Sequence, residues 1–164
     1  MIKKNDIVQL EITDITNEGM GVGHADGLAV FVPFTCIGDV IDAHILKVKS
    51  SYAYGKCTAI KSLSASRVQP QCPAYKKCGG CQLMHIEYAA QKEIKRKFVY
   101  DALVRIGGQS KDITVDFIGA PDETGYRNKM VYPIGKDKDN KTVCGFYAQR
   151  SHNIISLDSC VLGM

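Results

Sequence analysis

The first sixty residues alternate between apolar and polar positions with a period of two, which is typical of short β-strands that bury one face. Val8, Leu10 and Ile12 alternate with polar residues. Residues 28–32 are apolar on both faces, as in a central strand, and residues 52–60 supply a last strand. Five short strands separated by glycine-rich turns predict a small β-barrel of the OB-like type.

Three local irregularities refine this barrel. Up to Ile45 the apolar positions fall on one face, but Leu46 and Val48 continue in the other phase, which indicates a β-bulge. The glycine-rich residues 19–23 predict turns. Residues 61–70 are rich in serine and lack periodicity, so they are expected to form a linker.

The rest of the chain mixes helical and extended patterns. In residues 87–106 apolar side chains recur at i+4, which predicts an amphipathic helix ending at Gly107-Gly108. A polar turn at residues 135–141 separates two of four further predicted strands, which cover residues 113–117, 130–134, 142–147 and 153–157. The predicted fold class is mainly β with α+β. A barrel fills residues 1–64, and residues 65–164 form a cysteine loop, a helix and a partial antiparallel sheet.

Composition and hydropathy also bear on the cellular compartment. Hydrophobic residues make up 45% of the chain and charged residues 23%, as in ordinary globular proteins. No apolar run reaches the roughly 18 residues of a membrane span, and the N-terminus lacks the apolar core of a secretory signal. We therefore expect a cytoplasmic protein that contacts no membrane. No protein partner is indicated, so a monomer is expected.

The charge distribution is uneven. The net charge is only +4, yet residues 43–86 contain no acidic side chain. Phosphate-binding surfaces exclude acids because acids repel the ligand, so this stretch suggests a surface for nucleic acid. Charge alone leaves an ordinary solvated surface equally open. The basic residues of the stretch are Lys47, Lys49, Lys56, Lys61, Arg67, Lys76 and Lys77, and we expect its lysines to face RNA.

Seven cysteines in a chain without an export signal are not expected to form disulfides. Cys36, Cys57 and Cys144 stand singly in apolar or strand-like contexts, so each is expected to be a small buried hydrophobic side chain. The other four form a constellation. Three share one loop with the spacing Cys72-x5-Cys78-x2-Cys81, and Cys160 follows after 78 intervening residues.

Three thiols on one short loop can converge on a metal centre, because Gly79-Gly80 lets the backbone fold sharply between Cys78 and Cys81. Thiolates select soft metals, either zinc or the iron of an iron–sulfur cluster. Zinc sites usually pair two C-x2-C motifs and this chain has one. That asymmetry favours a [4Fe–4S] cluster, while the spacing leaves zinc open. His85 follows the loop, but four cysteines complete the ligand set, so His85 is expected to be a surface or core residue.

Several segments resemble known families. Residues 1–64, with Gly19-Met20-Gly21-Val22 and Val30-Phe31-Val32-Pro33, resemble a TRAM domain, an OB-like barrel attached to RNA-modifying enzymes. The run Cys72-Pro73-x-Tyr75-x-x-Cys78-Gly79-Gly80-Cys81-Gln82-Leu83 resembles the cluster loop of bacterial RNA (uracil-5-)-methyltransferases. These are SAM-dependent enzymes that act mostly on 23S rRNA. The central RNA-binding domain of that family is resembled by Gly125-Tyr126-Arg127-Asn128-Lys129 and Gly145-Phe146-Tyr147.

The resemblance implies that Cys72, Cys78, Cys81 and Cys160 hold a [4Fe–4S] cluster. It also implies that Arg127 and Lys129 lie in an RNA-binding region. In the family, a C-terminal Rossmann-like domain carries the SAM site and the catalytic cysteine, and no segment here resembles it. S-adenosyl-L-methionine is therefore expected only in a full-length protein. We predict RNA recognition for a 23S rRNA methyltransferase, assign no catalytic residue, and expect the chain alone to transfer no methyl group.

Three alternatives stay open or are disfavoured. The RNA target can be tRNA rather than rRNA, and a zinc-stabilised RNA-binding module without enzymatic activity has the same cysteines. A radical-SAM methylthiotransferase is disfavoured, because it has a C-x3-C-x2-C loop and carries its TRAM domain last. Tyr52, Tyr54 and Phe34 are candidates for stacking on RNA bases, with packing in the barrel core as the alternative.

Overall fold

A computed structural model describes residues 1–164. They form two compact units. The first, here called the barrel unit, contains Met1–Val68 and His85–Phe117. The second, here called the cysteine unit, contains Gln69–Met84 and Ile118–Met164. The chain leaves and re-enters the barrel unit at one place, because the Val68 amide donates to the His85 carbonyl oxygen over 3.0 Å.

The barrel unit is built on a curled six-stranded sheet. Its strands follow the order β1-β5-β6-β4-β3-β2, and every neighbouring pair is antiparallel except β4 and β6, which are parallel. The bulge predicted after Ile45 is confirmed, since the register of β5 on β6 shifts between Ile45 and Lys47. The strands are β1 (Ile7–Glu11), β2 (Asp14–Ile15), β3 (Met20–Ala25), β4 (Leu28–Pro33), β5 (Val40–Val48) and β6 (Tyr52–Ser62).

The core lies on the concave side of this sheet. Alternation of side chains along each strand puts every second residue there, and Val30, Val32, Ile41 and Ile45 are completely buried. β4 is the central strand that its apolar sequence predicts, with β6 on one side and β3 on the other. The predicted fold class, mainly β with an OB-like barrel, is confirmed.

Two glycines expected in a turn lie inside β3 instead. A Cβ atom on Gly23 would approach the Glu11 carbonyl oxygen to 2.8 Å, and one on Gly21 would collide with the Thr35 hydroxyl. Of this glycine group only Gly19, with a φ of 79°, has the left-handed backbone of a turn. The glycines of β3 therefore allow neighbouring segments to pack closely on the strand.

The predicted helix is present with a modified end. α1 covers Tyr88–Asp101 and continues as a π-helical turn over Ala102–Ile106. It stops as predicted at Gly107, whose amide donates to the Ala102 carbonyl, and Gly108 then adopts a φ of 65°. Neither helical segment has the length and apolar character that a bilayer crossing needs.

α1 is tied to the sheet by an ion pair. The Lys97 ammonium donates to the Asp14 carboxylate of β2 over 3.0 Å and to Asp101, one turn along the helix, over 2.7 Å. A second pair joins Arg96 to Glu93. These basic side chains therefore belong to an ordinary charged helix surface, as the amphipathic pattern indicates.

The cysteine unit contains a three-stranded antiparallel sheet in the order β7-β8-β9. Its strands are β7 (Ile134–Lys136), β8 (Thr142–Tyr147) and β9 (Ile154–Ser156). The strands predicted at residues 142–147 and 153–157 are thereby confirmed.

Two strand predictions are wrong. Residues 113–117 form no strand, and the strand predicted at residues 130–134 begins only at Ile134. The Asp137 carboxylate accepts hydrogen bonds from the amides of Asp139 and Lys141, both at 2.9 Å, and so forms a tight turn that closes the hairpin. The pairing of β7 with β8 lies next to this turn. Side-chain alternation cannot reveal whether a partner strand exists.

The serine-rich residues 61–70 are not a free linker. β6 covers the first two of them, and the Ser64 amide then donates to the Asp39 carboxylate over 3.0 Å. The returning chain is also fixed, because Nε2 of the buried His85 lies 3.0 Å from the Thr35 carbonyl oxygen. His85 is therefore a core residue of the barrel unit.

Candidate metal centre and nucleic-acid interface

The loop that carries three cysteines is a series of hydrogen-bonded turns. The Cys78 amide donates to the Ala74 carbonyl (2.9 Å), and the Tyr75 hydroxyl reaches across the loop to the Gln82 carbonyl (2.7 Å). The Gln82 side-chain amide in turn donates to the Gly79 carbonyl (2.8 Å). These bonds satisfy backbone groups that a tight loop would otherwise leave unpaired, and so they fix the positions of its thiols.

The loop docks on the end of β8 through Gly79. The Gly79 amide donates to the Tyr147 carbonyl oxygen over 2.9 Å, and a Cβ atom at this position would lie 3.0 Å from that oxygen and 3.2 Å from the Gln149 amide nitrogen. Neither Gly79 nor Gly80 has a positive φ. The chain does turn at Gly79-Gly80, and Gly79 in addition permits the close approach of two backbones.

Cys160 reaches the same region through a turn near the end of the described chain. The Gly163 amide donates to the Cys160 carbonyl over 2.9 Å. On its other side, the Arg127 amide donates to Leu162 (2.8 Å), and the Met164 amide donates back to Arg127 (3.1 Å). This pairing holds the Cys160 turn against the segment of Arg127.

The four cysteines of the predicted ligand set line one pocket of the cysteine unit. No group of three His, Cys, Asp or Glu side chains in residues 1–164 is arranged around a single metal-ion position. The rest of the lining is mostly apolar and includes Tyr75, Phe146, Leu157, Val161 and Leu162.

The thiols are close enough to influence one another. Burial raises the pKa of the Cys81 thiol above its ordinary value, and the negative charges of Cys160, Cys78 and Cys72 raise it further. The guanidinium of Arg127 opposes this effect on the pKa. A positive ligand between these sulfurs would relieve the same repulsion, which is the electrostatic condition that a metal centre exploits.

The three remaining cysteines differ in how far they are buried. Cys36 is buried and Cys57 is half-buried against the barrel core, as predicted. Cys144 is exposed, so the prediction that it is a core residue is wrong. Its register partner on β7, Ile134, is also 73% exposed, which shows that this part of the small sheet is open to solvent.

The basic residues predicted in the barrel unit differ in their surroundings. Lys47 on β5, Lys49 just after it and Lys56 on β6 are exposed and form no salt bridge. Lys61 instead pairs with Asp42 at 2.9 Å. A stretch without acids in sequence therefore has acids beside it in space, and RNA contact by these lysines stays a prediction.

Of the basic residues predicted in the cysteine unit, one lines its pocket. Lys76 and Lys77 are exposed immediately before Cys78, and Lys129 is exposed as well. Arg127 is exposed but also lines the cysteine pocket, and its guanidinium lies 5.9 Å from the Tyr126 ring centroid. Arg127 thus has a position beside the thiols that sequence reasoning missed, and its contact with RNA stays a prediction.

The three candidate stacking residues have different surroundings in the structure. Tyr52 and Tyr54 are half-buried outside the core cluster, and they contact Phe31 rather than Phe34. Phe34 lies in a corner with a φ of 62°, where its carbonyl accepts a hydrogen bond from Arg67. Phe31 was missed, although the alternation along its strand already places it on the face opposite to the core.

Comparisons with known proteins show what this chain is similar to. Residues 3–58 match the family model described as TRAM domain. An uncharacterized RNA methyltransferase of Clostridium tetani is 44% identical over 161 residues, which cover 98% of this chain and 35% of that protein. One of Staphylococcus aureus (strain COL) is 41% identical over 161 residues, with coverages of 98% and 36%. The crystal structure of Pyrococcus abyssi tRNA (uracil-54, C5)-methyltransferase in complex with S-adenosyl-L-homocysteine is 28% identical, with a TM-score of 0.57. The match covers 94% of this chain and 33% of that one.

These similarities support the resemblance to TRAM-containing RNA methyltransferases, while its iron–sulfur, uracil-5 and 23S rRNA parts stay predictions. The barrel unit contains a TRAM domain, and nearly the whole chain is related to proteins named RNA methyltransferases. The chain spans about a third of the length of the curated relatives it matches.

Proposed function

We propose that this chain is the RNA-recognition and iron–sulfur portion of a SAM-dependent 23S rRNA (uracil-5-)-methyltransferase. The observation that carries the proposal is the combination of a TRAM domain with four cysteines around one pocket. In this proposal residues 1–64 are the RNA-binding barrel, and residues 65–164 are the cluster-binding and central RNA-binding part. The protein is cytoplasmic and monomeric. Methyl transfer from SAM belongs to the whole protein and not to this portion alone.

The donor set fits a [4Fe–4S] cluster, because four thiols in a largely apolar pocket are the ligands that iron–sulfur clusters use. Cys72, Cys78, Cys81 and Cys160 would hold it. When bound, the cluster would supply iron–thiolate bonds that join the cysteine loop to the Cys160 turn. Because ligand binding of this kind is coupled to folding, such bonds would stabilise the cysteine unit.

The chain's own residues contribute binding and orientation of the RNA. Lys47, Lys49 and Lys56 supply free cations on the barrel, whereas Lys61 shares its charge with Asp42. In the cysteine unit the corresponding cations are Lys76, Lys77, Arg127 and Lys129. Contacts to phosphates position an RNA without reading its sequence, so these residues act on register and affinity.

The proposed target is rRNA. The names of the bacterial relatives specify RNA without its kind, and that of the Pyrococcus abyssi enzyme specifies tRNA. The choice of 23S rRNA rests on the cysteine loop, which resembles the bacterial enzymes acting on that RNA. A tRNA substrate is the competing proposal.

Deletion of the gene tests the function and the target together. Nuclease digests of 23S rRNA and tRNA from the deletion strain are analysed by mass spectrometry for 5-methyluridine. We expect a 23S rRNA position to lose its methyl group and to regain it on complementation, with tRNA unchanged. Loss from tRNA alone would replace the rRNA assignment, and retention of every 5-methyluridine would contradict the methyltransferase proposal.

A further inference from the structure

Three aromatic side chains form a continuous cluster on the barrel unit. Phe31 on β4 is paired in register with Tyr54 on β6, and Tyr52 lies two positions earlier on β6. The ring centroids are 5.7 Å apart for Phe31 and Tyr52, and 5.8 Å apart for Phe31 and Tyr54. Those of Tyr52 and Tyr54 are 5.5 Å apart. Each ring therefore contacts the other two, and together they make one surface, here called the aromatic platform.

The aromatic platform faces away from the core. Val30, Val32 and Ala53 alternate with its members along β4 and β6, and all three are completely buried in the core cluster. Because successive residues of a strand point to opposite faces, Phe31 and Tyr54 point outward. All three residues are only half-buried, so part of the platform remains exposed to a ligand.

Cations border the platform. Lys47 on β5 is the register partner of Tyr54, and Lys56 follows Tyr54 by two positions on β6 and therefore shares its face. His44 lies opposite Lys56. Both lysines are exposed and free of salt bridges, so their charges are available to an anion.

Aromatic rings beside free cations match the two components of single-stranded RNA. Bases stack on rings of this kind, while lysines at the edge bind the backbone phosphates. Bases inside an RNA duplex are stacked on one another and do not reach a protein ring, so the ligand must contain unpaired nucleotides. An apolar protein partner would use the rings but leave the bordering cations without counter-charges.

We propose that Phe31, Tyr52 and Tyr54 are a stacking platform for unpaired RNA bases, and that Lys47 and Lys56 bind the flanking phosphates. The proposal rests on the proposed RNA-recognition function and deepens it, because it names the surface and the form of RNA. The rings and the lysines have different tasks in binding, and removal of the whole barrel would not distinguish them. The rings supply affinity through stacking, and the lysines supply the salt dependence.

The test uses the 164-residue chain and conservative variants. Phe31→Leu, Tyr52→Leu and Tyr54→Leu, singly and combined, keep apolar bulk on the sheet while removing the aromatic face. Tyr88→Leu is the matched control. Tyr88 is also half-buried and has the Lys92 ammonium 5.5 Å from its ring centroid, but it belongs to α1 and not to the platform. Thermal unfolding followed by circular dichroism verifies that each variant is folded.

Binding is measured with a fluorescently labelled uridine-rich single strand and with the duplex it forms with its complement, at several salt concentrations. Each platform ring that stacks on a base should cost roughly 5- to 150-fold in affinity when replaced. The salt slope should not change, since no phosphate contact is lost. The Tyr88 variant should bind like the parent chain, and the duplex should bind more weakly than the single strand.

Photo-cross-linking locates the contact. A single strand containing 5-iodouridine is irradiated with the chain, and the cross-linked peptides are identified by mass spectrometry. Cross-links at Phe31, Tyr52 or Tyr54 support the proposal. If the parent chain binds single-stranded RNA but the leucine variants bind equally well, or the cross-links lie elsewhere, the platform is refuted while RNA recognition stands. If the parent chain binds no RNA, the proposed function fails as well.

Discussion

The guanidinium of Arg67 and the carboxylate of Asp39 form an ion pair inside the barrel unit, 28 positions apart in the sequence. Nε of Arg67 donates to Oδ1 of Asp39 over 3.1 Å, and a terminal nitrogen of Arg67 donates to Oδ2 and to the Phe34 carbonyl (3.2 Å). The amides of Cys36 (2.7 Å) and Ser64 (3.0 Å) also donate to this carboxylate. Asp39 is fully buried, so its ionised form depends on these donors.

Removing the cation should destabilise the barrel strongly. Arg67→Met leaves a buried carboxylate without its counter-charge, and we expect the free energy of unfolding to fall by about 3–5 kcal/mol. Lys97→Met is the control, because Lys97 pairs with Asp14 and Asp101 at an exposed surface. That change should cost less than about 1 kcal/mol. Urea unfolding at neutral pH measures both, and equal losses would show that the Arg67 pair is no more than a surface contact.

The same pair predicts a pH dependence. Burial alone would raise the pKa of Asp39, but the hydrogen bonds from Arg67, Ser64 and Cys36 and the guanidinium charge hold it below its ordinary value. The stabilisation is therefore present above the unfolded-state pKa of about 3.9 and is lost as pH falls through the lower folded-state value. In Arg67→Met the orphaned carboxylate is relieved by protonation. The stability gap between parent and variant should thus narrow in acid, and a constant gap from neutral pH to about pH 3 would contradict the assignment.

The close approach at Gly79 predicts a position-specific sensitivity to alanine. Gly79→Ala places a Cβ atom 3.0 Å from the Tyr147 carbonyl and should displace the loop, at a cost of about 1–3 kcal/mol in the stability of the cysteine unit. Gly80→Ala is the control, since its Cβ atom would meet only the Cys78 sulfur at 3.5 Å. Hydrogen exchange of the amides at Gly79 and around Tyr147 measures the effect in both variants. Equal protection in the two would refute the backbone contact.

The free lysines of the barrel should carry the salt dependence of RNA binding. Neutralising Lys47, Lys49 and Lys56 to glutamine should flatten the slope of log affinity against log salt by about 0.7 for each lost phosphate contact. Lys136, Lys138 and Lys141 serve as the matched triple, because they lie in or beside a turn that also contains Asp137 and Asp139. Titration of an RNA hairpin at several salt concentrations compares the two. Equal slopes and equal losses would show that the acid-free stretch is only a feature of composition.

Local periodicity predicted the parts of the fold that depend on local rules. The alternation in β1 and the apolar run of β4 are written in neighbouring residues, and the bulge after Ile45 appears as a change of phase. The helix likewise follows from i+4 recurrence and ends at its glycine pair. In each case the chain segment itself contains the signal.

Features that depend on distant partners were missed. The role of Gly79 is set by Tyr147, and that of Asp39 by Arg67, and neither partner is marked by spacing. The exposure of Cys144 depends on which face of a small sheet is covered, which periodicity does not specify. The cysteine spacing predicted a ligand set, which stays a prediction, but it did not predict that Arg127 lines the same pocket.

Metal analysis of the anaerobically purified chain tests the central proposal most directly, with Cys160→Ser and the exposed Cys144→Ser as a matched pair. We predict a brown protein with about four iron and four sulfide ions per chain, in which Cys160→Ser lowers the iron-to-protein ratio and Cys144→Ser does not. A colourless protein that contains zinc and no sulfide would contradict the iron–sulfur assignment. An iron ratio unchanged in Cys160→Ser would contradict the four-cysteine site.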